Sequence, residues 1–188
     1  MSKIILDCEA DGLLDEVTKV HCIVLRDEDE NIFKLYEDSL TRKNLLNILN
    51  NYKIIICHNI LRYDSILIKK FFNISLVRGW ELIDTLVWSK ALYPDRSLPE
   101  GCPTSLLNPV TNRKQIITPH GLEAWGYRVG FKKPGIYDWR EFNEEMLHRC
   151  EQDTLINLLT YKELCKEANL KTIQAIRYKR YDNEEIVN

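Results

Sequence analysis

Four acidic side chains lie in or shortly after three predicted secondary-structure elements. Asp7 and Glu9 follow the first apolar run, Asp64 follows a later apolar run, and Asp153 lies in the last predicted helix. Side chains two positions apart on a strand project from one face, so Asp7 and Glu9 repel each other unless a cation lies between them. Carboxylate oxygens suit Mg²⁺ or Mn²⁺, and the spacing therefore indicates a divalent-metal site.

The combination of these acids is more informative than any of them alone. Each by itself is typical of a solvated strand end, a helix N-terminus or a helix surface. Together they could hold two ions about 4 Å apart, which clamp the attacking and leaving oxygens of a phosphodiester. His148, five residues before Asp153, is the candidate general base, because an unperturbed imidazole has a pKa near 6.5.

Hydrophobic periodicity predicts an α/β domain with a central mixed sheet flanked by helices. The predicted strands are Lys3–Cys8, His21–Arg26, Ile32–Tyr36 and Lys53–Cys57. The predicted helices are Thr41–Asn51, Ser65–Phe72, Asp84–Leu92, Pro119–Tyr127 and Glu141–Glu167. Polar groups that follow buried strands are expected at one edge of such a sheet, where α/β proteins bind ligands.

The segment Tyr93–Thr118 differs from the rest of the chain. It contains Pro94, Pro99, Pro103 and Pro109, which makes a long helix or a central strand improbable. A loop of this length in a small domain is more often functional than idle. We expect one domain over residues 1–170 and a C-terminal extension over 171–188.

Composition restricts the class of protein. The 188 residues carry a net charge of −2, which argues against a protein that coats nucleic acid, although a carboxylate-rich metal site lowers the net charge of a nuclease. No apolar run approaches the roughly 18 residues of a membrane span, so no membrane partner is expected. Six cysteines without a CxxC pair and no secretory leader favour a cytoplasmic location.

Five segments resemble the DEDD, or DnaQ-like, 3′→5′ exonucleases, which have a ribonuclease-H-like fold. They are DCEADGLLDEVTKVHC, HNILRYD, IDTLVWS, HGLEAWGYRVG and FNEEMLHRCEQD. The resemblance covers about residues 1–168 and is nearest to the proofreading domain of the family A DNA polymerases of short-tailed bacteriophages. HGLEAWGYRVG contains none of the four acids and supports the resemblance independently.

The resemblance implies roles for individual residues. Asp7, Glu9 and Asp153 would hold a first Mg²⁺ or Mn²⁺, and Asp7 would hold a second with help from Asp64 through water. Leu13 matches the position of an apolar wedge beside the terminal base. Asn59 matches a polar contact near the 3′ end. The other histidines, His21, His58 and His120, are interpreted as structural.

The sequence departs from the phage polymerase pattern at one catalytic position. Those domains carry a tyrosine four residues before the last aspartate, where this chain has Arg149. Arginine stays protonated and cannot accept a proton, so His148 is favoured as in the DEDDh branch. Residues five apart on one helix point about 140° apart. His148 therefore serves the site only if the helix starts or bends near it, whereas an unbroken helix turns Arg149 toward the acids.

The predicted activity is removal of nucleotides from 3′ ends, preferably of single-stranded DNA, as a free-standing enzyme or as part of a split polymerase or replisome. An oligoribonuclease or RNA-trimming exonuclease is the alternative, because contacts to the 2′-hydroxyl distinguish the two substrates. A non-catalytic polymerase accessory module is a third possibility. If phage-encoded, the protein would act in the host-cell cytoplasm.

Overall fold

Six α-helices and seven strands make up the part of the chain that the computed structural model describes, residues 2–108, 112–133 and 138–168. The strands are β1 (Lys3–Ala10), β2 (Val20–Asp27), β3 (Ile32–Tyr36), β4 (Ile54–Cys57), β5 (Glu81–Asp84), β6 (Ser105–Leu107) and β7 (Lys114–Ile116). The helices are α1 (Arg42–Leu49), α2 (Asp64–Phe72), α3 (Leu76–Gly79), α4 (Thr85–Leu92), α5 (Leu122–Val129) and α6 (Glu144–Glu167).

The main sheet has five strands in the order β3-β2-β1-β4-β5. The pairs β1–β2 and β2–β3 are antiparallel, whereas β4 pairs in parallel with β1 and with β5. The predicted mixed sheet flanked by helices is confirmed. β1 is the central strand of the sheet, between β2 and β4.

Side chains on the two faces of β1 pack into two separate layers of the core. Ile4, Leu6 and Cys8 face the layer that contains α1 and α2, while Ile5 packs with Trp125 of α5 and the apolar residues of α6. Because side chains alternate along a strand, Asp7 and Glu9 share the face of Ile5. Both acids therefore point toward α6.

α5 approaches the following segment very closely at Gly126. A Cβ at this position would lie 2.4 Å from the backbone oxygen of Phe131, and the Phe131 amide donates to the Gly126 carbonyl at 2.8 Å. Gly130 at the C-terminus of α5 has φ +80°, which glycine adopts without strain. This turn leads the chain from α5 to Lys133.

Three features of the fold were not predicted. One is the four-residue helix α3. β5 is a four-residue strand, and its last residue, Asp84, is also the N-cap of α4. Within the proline-containing segment, β6 and β7 pair as a separate antiparallel ribbon. β5 has only two apolar residues, whereas the equally short β4 is apolar throughout. Strands of three residues carry too few alternating positions to be recognised from periodicity.

Among the described residues, no helix is long and apolar enough to cross a membrane. The predicted C-terminal extension, 171–188, lies outside the described residues.

Candidate metal centre

Three acids meet at the carboxyl end of β1. Asp7, Glu9 and Asp153 each offer one carboxylate oxygen, and these oxygens all lie within 4.8 Å of one another. Asp7 is partly exposed, whereas Glu9 and Asp153 are buried. A β-bulge between Glu9 and Ala10 marks the end of the regular pairing with β2. β1 and α6 thus bring Asp7 and Glu9 together with Asp153, which lies more than 140 residues further along the chain.

The environment of the acids disfavours their charged forms when no cation is bound. Burial raises the pKa of Glu9 to about 8, and the neighbouring Asp153 adds to the effect. Burial also raises the pKa of Asp7 well above its ordinary value, followed by the charges of Asp153 and Glu9. A divalent ion at this position would allow several of these carboxylates to be charged at neutral pH.

One oxygen of Asp153 has no hydrogen-bond partner among the residues that the structure describes. Its Oδ1 is buried without a hydrogen bond in the described residues, and a buried polar atom of this kind is costly. Four carboxylates in the neighbourhood supply hard oxygen donors of the type that Mg²⁺ and Mn²⁺ bind. The residues present therefore fit a divalent metal ion.

Asp64 lies beside this group as the first residue of α2 and is buried. Burial raises its pKa to about 6, while the thiols of Cys57 and Cys8 act in the opposite direction as hydrogen-bond partners. Its charge contributes to the raised pKa of Asp7. Asp64 is close enough to Asp7 to interact electrostatically, but it is outside the group of three acids.

Asp84 stabilises the loop that precedes Asp64, a role that the sequence did not reveal. Its Oδ1 accepts hydrogen bonds from the amides of Asn59 (3.0 Å), Leu86 (3.0 Å) and Val87 (3.2 Å). Its Oδ2 accepts from the Leu61 amide at 3.3 Å. Asn59 adopts φ +68°, a left-handed conformation that asparagine tolerates. The Asp84 carboxylate thereby ties the end of β4 to α4.

Two cations contact the acids. The contact of Lys133 was not predicted, whereas that of Arg149 is the one expected for an unbroken last helix. Lys133 Nζ lies 2.6 Å from Asp153 Oδ2. Arg149 Nε lies 3.8 Å from both Glu9 Oε1 and Asp153 Oδ2. The guanidinium also stacks on Trp139, 5.6 Å from the ring centroid. Positive charges at these positions offset part of the repulsion among the acids.

α6 runs without a break past His148. The helix begins at Glu144, and the Asn143 side chain caps it by accepting from the Met146 amide at 2.8 Å. His148 lies five positions into this helix and is exposed. Arg149 is therefore turned toward the acids, the arrangement expected for an unbroken helix. His148 as the general base remains a prediction.

The two predicted substrate contacts lie on loops beside the acids. Leu13 follows β1 and is 73% exposed, and its carbonyl accepts from the Val17 amide. Asn59 is half-buried after β4. Tyr63 connects the two loops, since its hydroxyl donates to the Gly12 carbonyl at 2.8 Å. Exposure of Leu13 leaves its side chain accessible to a ligand.

The remaining histidines pair with neighbouring polar groups. His58 Nδ1 lies 3.0 Å from Thr85 Oγ1, and burial lowers the pKa of His58 to about 3. His120 Nδ1 lies 2.9 Å from Ser89 Oγ. His21 Nε2 lies 2.9 Å from the carbonyl of Trp139, which fixes the residue that stacks on Arg149.

Sequence comparison relates the chain to phage DNA polymerases. It is 27% identical over 190 residues to the DNA-directed DNA polymerase of Enterobacteria phage T3, and 28% identical over 195 residues to that of Escherichia phage T7. Each match covers 87% of this chain but only 27% of the polymerase. No family model matches the chain. The predicted relationship to phage polymerases is confirmed.

Structural comparison identifies the same fold in known nucleases. Brucella melitensis NrnC aligns with a TM-score of 0.61 and 16% identity, covering 89% of this chain and 73% of that protein. The EXO domain of Aedes aegypti Nibbler aligns with a TM-score of 0.58 and 14% identity, covering 90% and 80%. The predicted ribonuclease-H-like fold is confirmed.

Proposed function

We propose that this chain, which has the fold of the DnaQ-like exonucleases and is related to phage polymerases, is a metal-dependent 3′→5′ exonuclease. The observation that carries the proposal is the group of Asp7, Glu9 and Asp153, whose oxygens lie within 4.8 Å at the end of the central strand. Four acids near one another repel and destabilise the fold unless a bound cation offsets their charges. Metal-assisted phosphodiester hydrolysis would account for their presence at one site.

Asp7, Glu9 and Asp153 would hold the first of two divalent ions, and Asp7 with Asp64 would hold the second. Two such ions supply Lewis acidity to the scissile phosphate and its leaving oxygen. Asp64 lies at the start of α2, next to the group of three acids. Mg²⁺ is the expected ion, since NrnC has been solved with bound Mg²⁺.

The substrate would be the 3′ end of a nucleic acid. NrnC has been solved bound to pGG, and the T3 and T7 relatives are DNA polymerases. We favour single-stranded DNA, which bends into a site more readily than a duplex does. Leu13 would contact the terminal base and Asn59 the 3′-terminal sugar. A DNA polymerase is a candidate partner, and the host-cell cytoplasm a candidate location.

Lys133 and Arg149 would partly neutralise the metal-binding acids when no metal ion is bound. Their cationic groups contact Asp153 and Glu9 directly. Both side chains are largely buried, with 10% and 17% exposure, so the contacts are little screened by solvent. Arginine remains charged at all accessible pH values, so Arg149 cannot accept a proton.

His148 is the proposed general base, and its use requires a local change in α6. The imidazole is exposed on a continuous helix, and five residues correspond to a rotation of about 140°. The first turn of α6 would have to rotate or unwind when substrate binds. Removal of the His148 imidazole tests this assignment separately from the metal site.

An oligoribonuclease or RNA-trimming activity is the alternative supported by a specific observation, because NrnC binds pGG and shares the fold. The non-catalytic accessory module is disfavoured by the retained acids. Incubation with matched 5′-labelled single-stranded DNA, duplex DNA and RNA distinguishes these functions. A metal-dependent ladder identifies an exonuclease, and the relative rates identify its substrate. Absence of cleavage on all three substrates with Mg²⁺ and with Mn²⁺ would refute the proposal.

A further inference from the structure

The β6–β7 ribbon forms one wall of a pocket next to the acids. The pocket has a volume of about 140 Å³ and lies between the ribbon, the start of α5 and α6. Leu106 and Gln115 of the ribbon line it on one side, and Lys133 and Arg149 line it on the other. Since Lys133 and Arg149 contact Asp153, the pocket adjoins the candidate metal centre.

Leu106 lines the pocket, whereas its neighbour Leu107 does not. Leu106 pairs with Gln115, which also lines the pocket, and Leu107 pairs with Lys114, which does not. Adjacent residues of a strand project from opposite faces, so Leu106 and Leu107 lie on different faces of the ribbon. Ile116, next to Gln115, is a further lining residue.

Three large apolar side chains of the β6–β7 ribbon are exposed to solvent. Leu106 is 40% exposed, Leu107 61% and Ile116 75%, and the ribbon belongs to no larger sheet. An isolated two-stranded ribbon gains little stability from its own contacts. Exposed apolar side chains beside a charged site are suited to contact with a ligand that has both apolar and charged parts.

The charged side chains that line the pocket indicate the chemical class of that ligand. Lys133 and Arg149 present two cations to the pocket, and Glu123 presents one acid whose pKa is raised by burial. A divalent ion bound by the neighbouring acids would add positive charge beside Lys133 and Arg149, which favours an anion at this position. A phosphate with an attached planar base fits this combination, because the phosphate meets the cations and the face of the base meets an apolar side chain.

We propose that the β6–β7 ribbon, with Lys133 and Arg149, forms the subsite for a nucleotide adjacent to the scissile phosphate of a single-stranded nucleic acid. Leu106 contacts the base, Gln115 offers it a polar group, and the two cations contact its phosphate. This inference rests on the proposed exonuclease function. It assigns strand binding to a segment that contains none of the metal-binding acids.

The adjacent leucines provide a matched test. Leu106→Glu adds a negative charge on the pocket side, and Leu107→Glu adds the same charge on the opposite face. Binding of a fluorescein-labelled oligothymidylate with phosphorothioate 3′ linkages is measured by fluorescence anisotropy in Mg²⁺. We expect Leu106→Glu to lower the affinity about tenfold or more, and Leu107→Glu to change it less than about twofold. Equal effects of the two substitutions, or no effect, would overturn the inference.

Photocrosslinking gives a second result that does not depend on activity. An oligonucleotide with 4-thiothymidine at the last or the second-to-last position should crosslink to the ribbon, and one with the label five nucleotides upstream should not. If the wild-type protein digests DNA while neither label reaches the ribbon, the subsite is wrong and the exonuclease stands. If the wild-type protein neither binds nor digests any strand, both proposals fail.

Discussion

Lys133 Nζ lies 2.6 Å from Asp153 Oδ2, and both side chains are almost completely buried. The other oxygen of Asp153 is buried without a hydrogen-bond partner in the described part of the chain. One carboxylate therefore presents an oxygen to a resident cation and an oxygen to the candidate metal centre. A divalent ion and the Lys133 ammonium repel each other across this carboxylate, which makes Lys133 a determinant of metal affinity.

Lys133→Gln should strengthen metal binding. Removal of the ammonium removes one positive charge from the neighbourhood of the incoming ion, and we expect Mn²⁺ affinity to rise about tenfold, equivalent to about 1.4 kcal/mol. Isothermal titration calorimetry with Mn²⁺ measures the change. Lys132→Gln is the control, because the Lys132 ammonium lies over the Tyr127 ring, 5.5 Å from its centroid. Weaker Mn²⁺ binding in Lys133→Gln would mean that Lys133 chiefly orients Asp153.

Asp7→Asn should stabilise the metal-free protein and eliminate its response to metal. Burial and the charges of Asp153 and Glu9 raise the pKa of Asp7, so a neutral amide relieves repulsion. In EDTA, we expect a melting temperature higher than that of wild type. Saturating Mn²⁺ at about 100 times its dissociation constant stabilises the wild-type protein by about 2.7 kcal/mol.

Differential scanning fluorimetry with and without Mn²⁺ checks both parts of this prediction. The Mn²⁺-dependent increase should be largely absent in Asp7→Asn. Asp15→Asn is a suitable control, because Asp15 is exposed on the loop that follows β1. An undiminished Mn²⁺ response in Asp7→Asn would remove Asp7 from the metal centre.

His148→Ala should lower kcat by about 10²- to 10⁴-fold, the usual contribution of a general base. The KM for a single-stranded oligonucleotide should change little, because the exposed imidazole is not among the proposed strand contacts. Steady-state kinetics at several pH values measure both constants. Arg149→Ala provides the comparison, and because it keeps the proposed base it should lower kcat less than His148→Ala does. Full activity of His148→Ala would show that another group accepts the proton.

Gly126→Ala should destabilise the domain by about 1–3 kcal/mol, the usual cost of overpacking. The new Cβ would lie 2.4 Å from the Phe131 backbone oxygen, so the segment leading to Lys133 has to move. Gly79→Ala is the control, since a Cβ there meets nothing within 4 Å. Urea denaturation measures the two free energies of unfolding. Similar stability of the two variants would contradict the close approach of α5 to Phe131.

Most of the fold could be predicted because its long elements have clear periodicity. β1, β2 and α6 carry enough alternating or helical positions to be recognised, and Asp7, Glu9 and Asp153 follow from their spacing on those elements. β5 was missed because only Leu82 and Ile83 of its four residues are apolar, and its last residue also caps α4. β6 and β7, with three residues each, lie between prolines, which favour a loop.

The cationic side of the site could not be predicted because it depends on tertiary packing. Lys133 reaches Asp153 only because α5 docks on α6 and the chain turns at Gly130. Arg149 was recognised as a departure from the family pattern, but its contact with Glu9 depends on an unbroken α6. Asp84 resembled an ordinary helix cap, and its hydrogen bonds to the Asn59 loop join residues 25 positions apart.

The central claim is most directly tested by digestion of one single-stranded oligonucleotide labelled either at its 5′ or at its 3′ end. With Mg²⁺ or Mn²⁺, we predict a descending ladder from the 5′ label and immediate release of a mononucleotide from the 3′ label. EDTA, Asp7→Asn and Asp153→Asn should each abolish both products. Internal fragments from the first turnover, digestion in EDTA, or an active Asp7→Asn protein would contradict a metal-dependent 3′→5′ exonuclease centred on these acids.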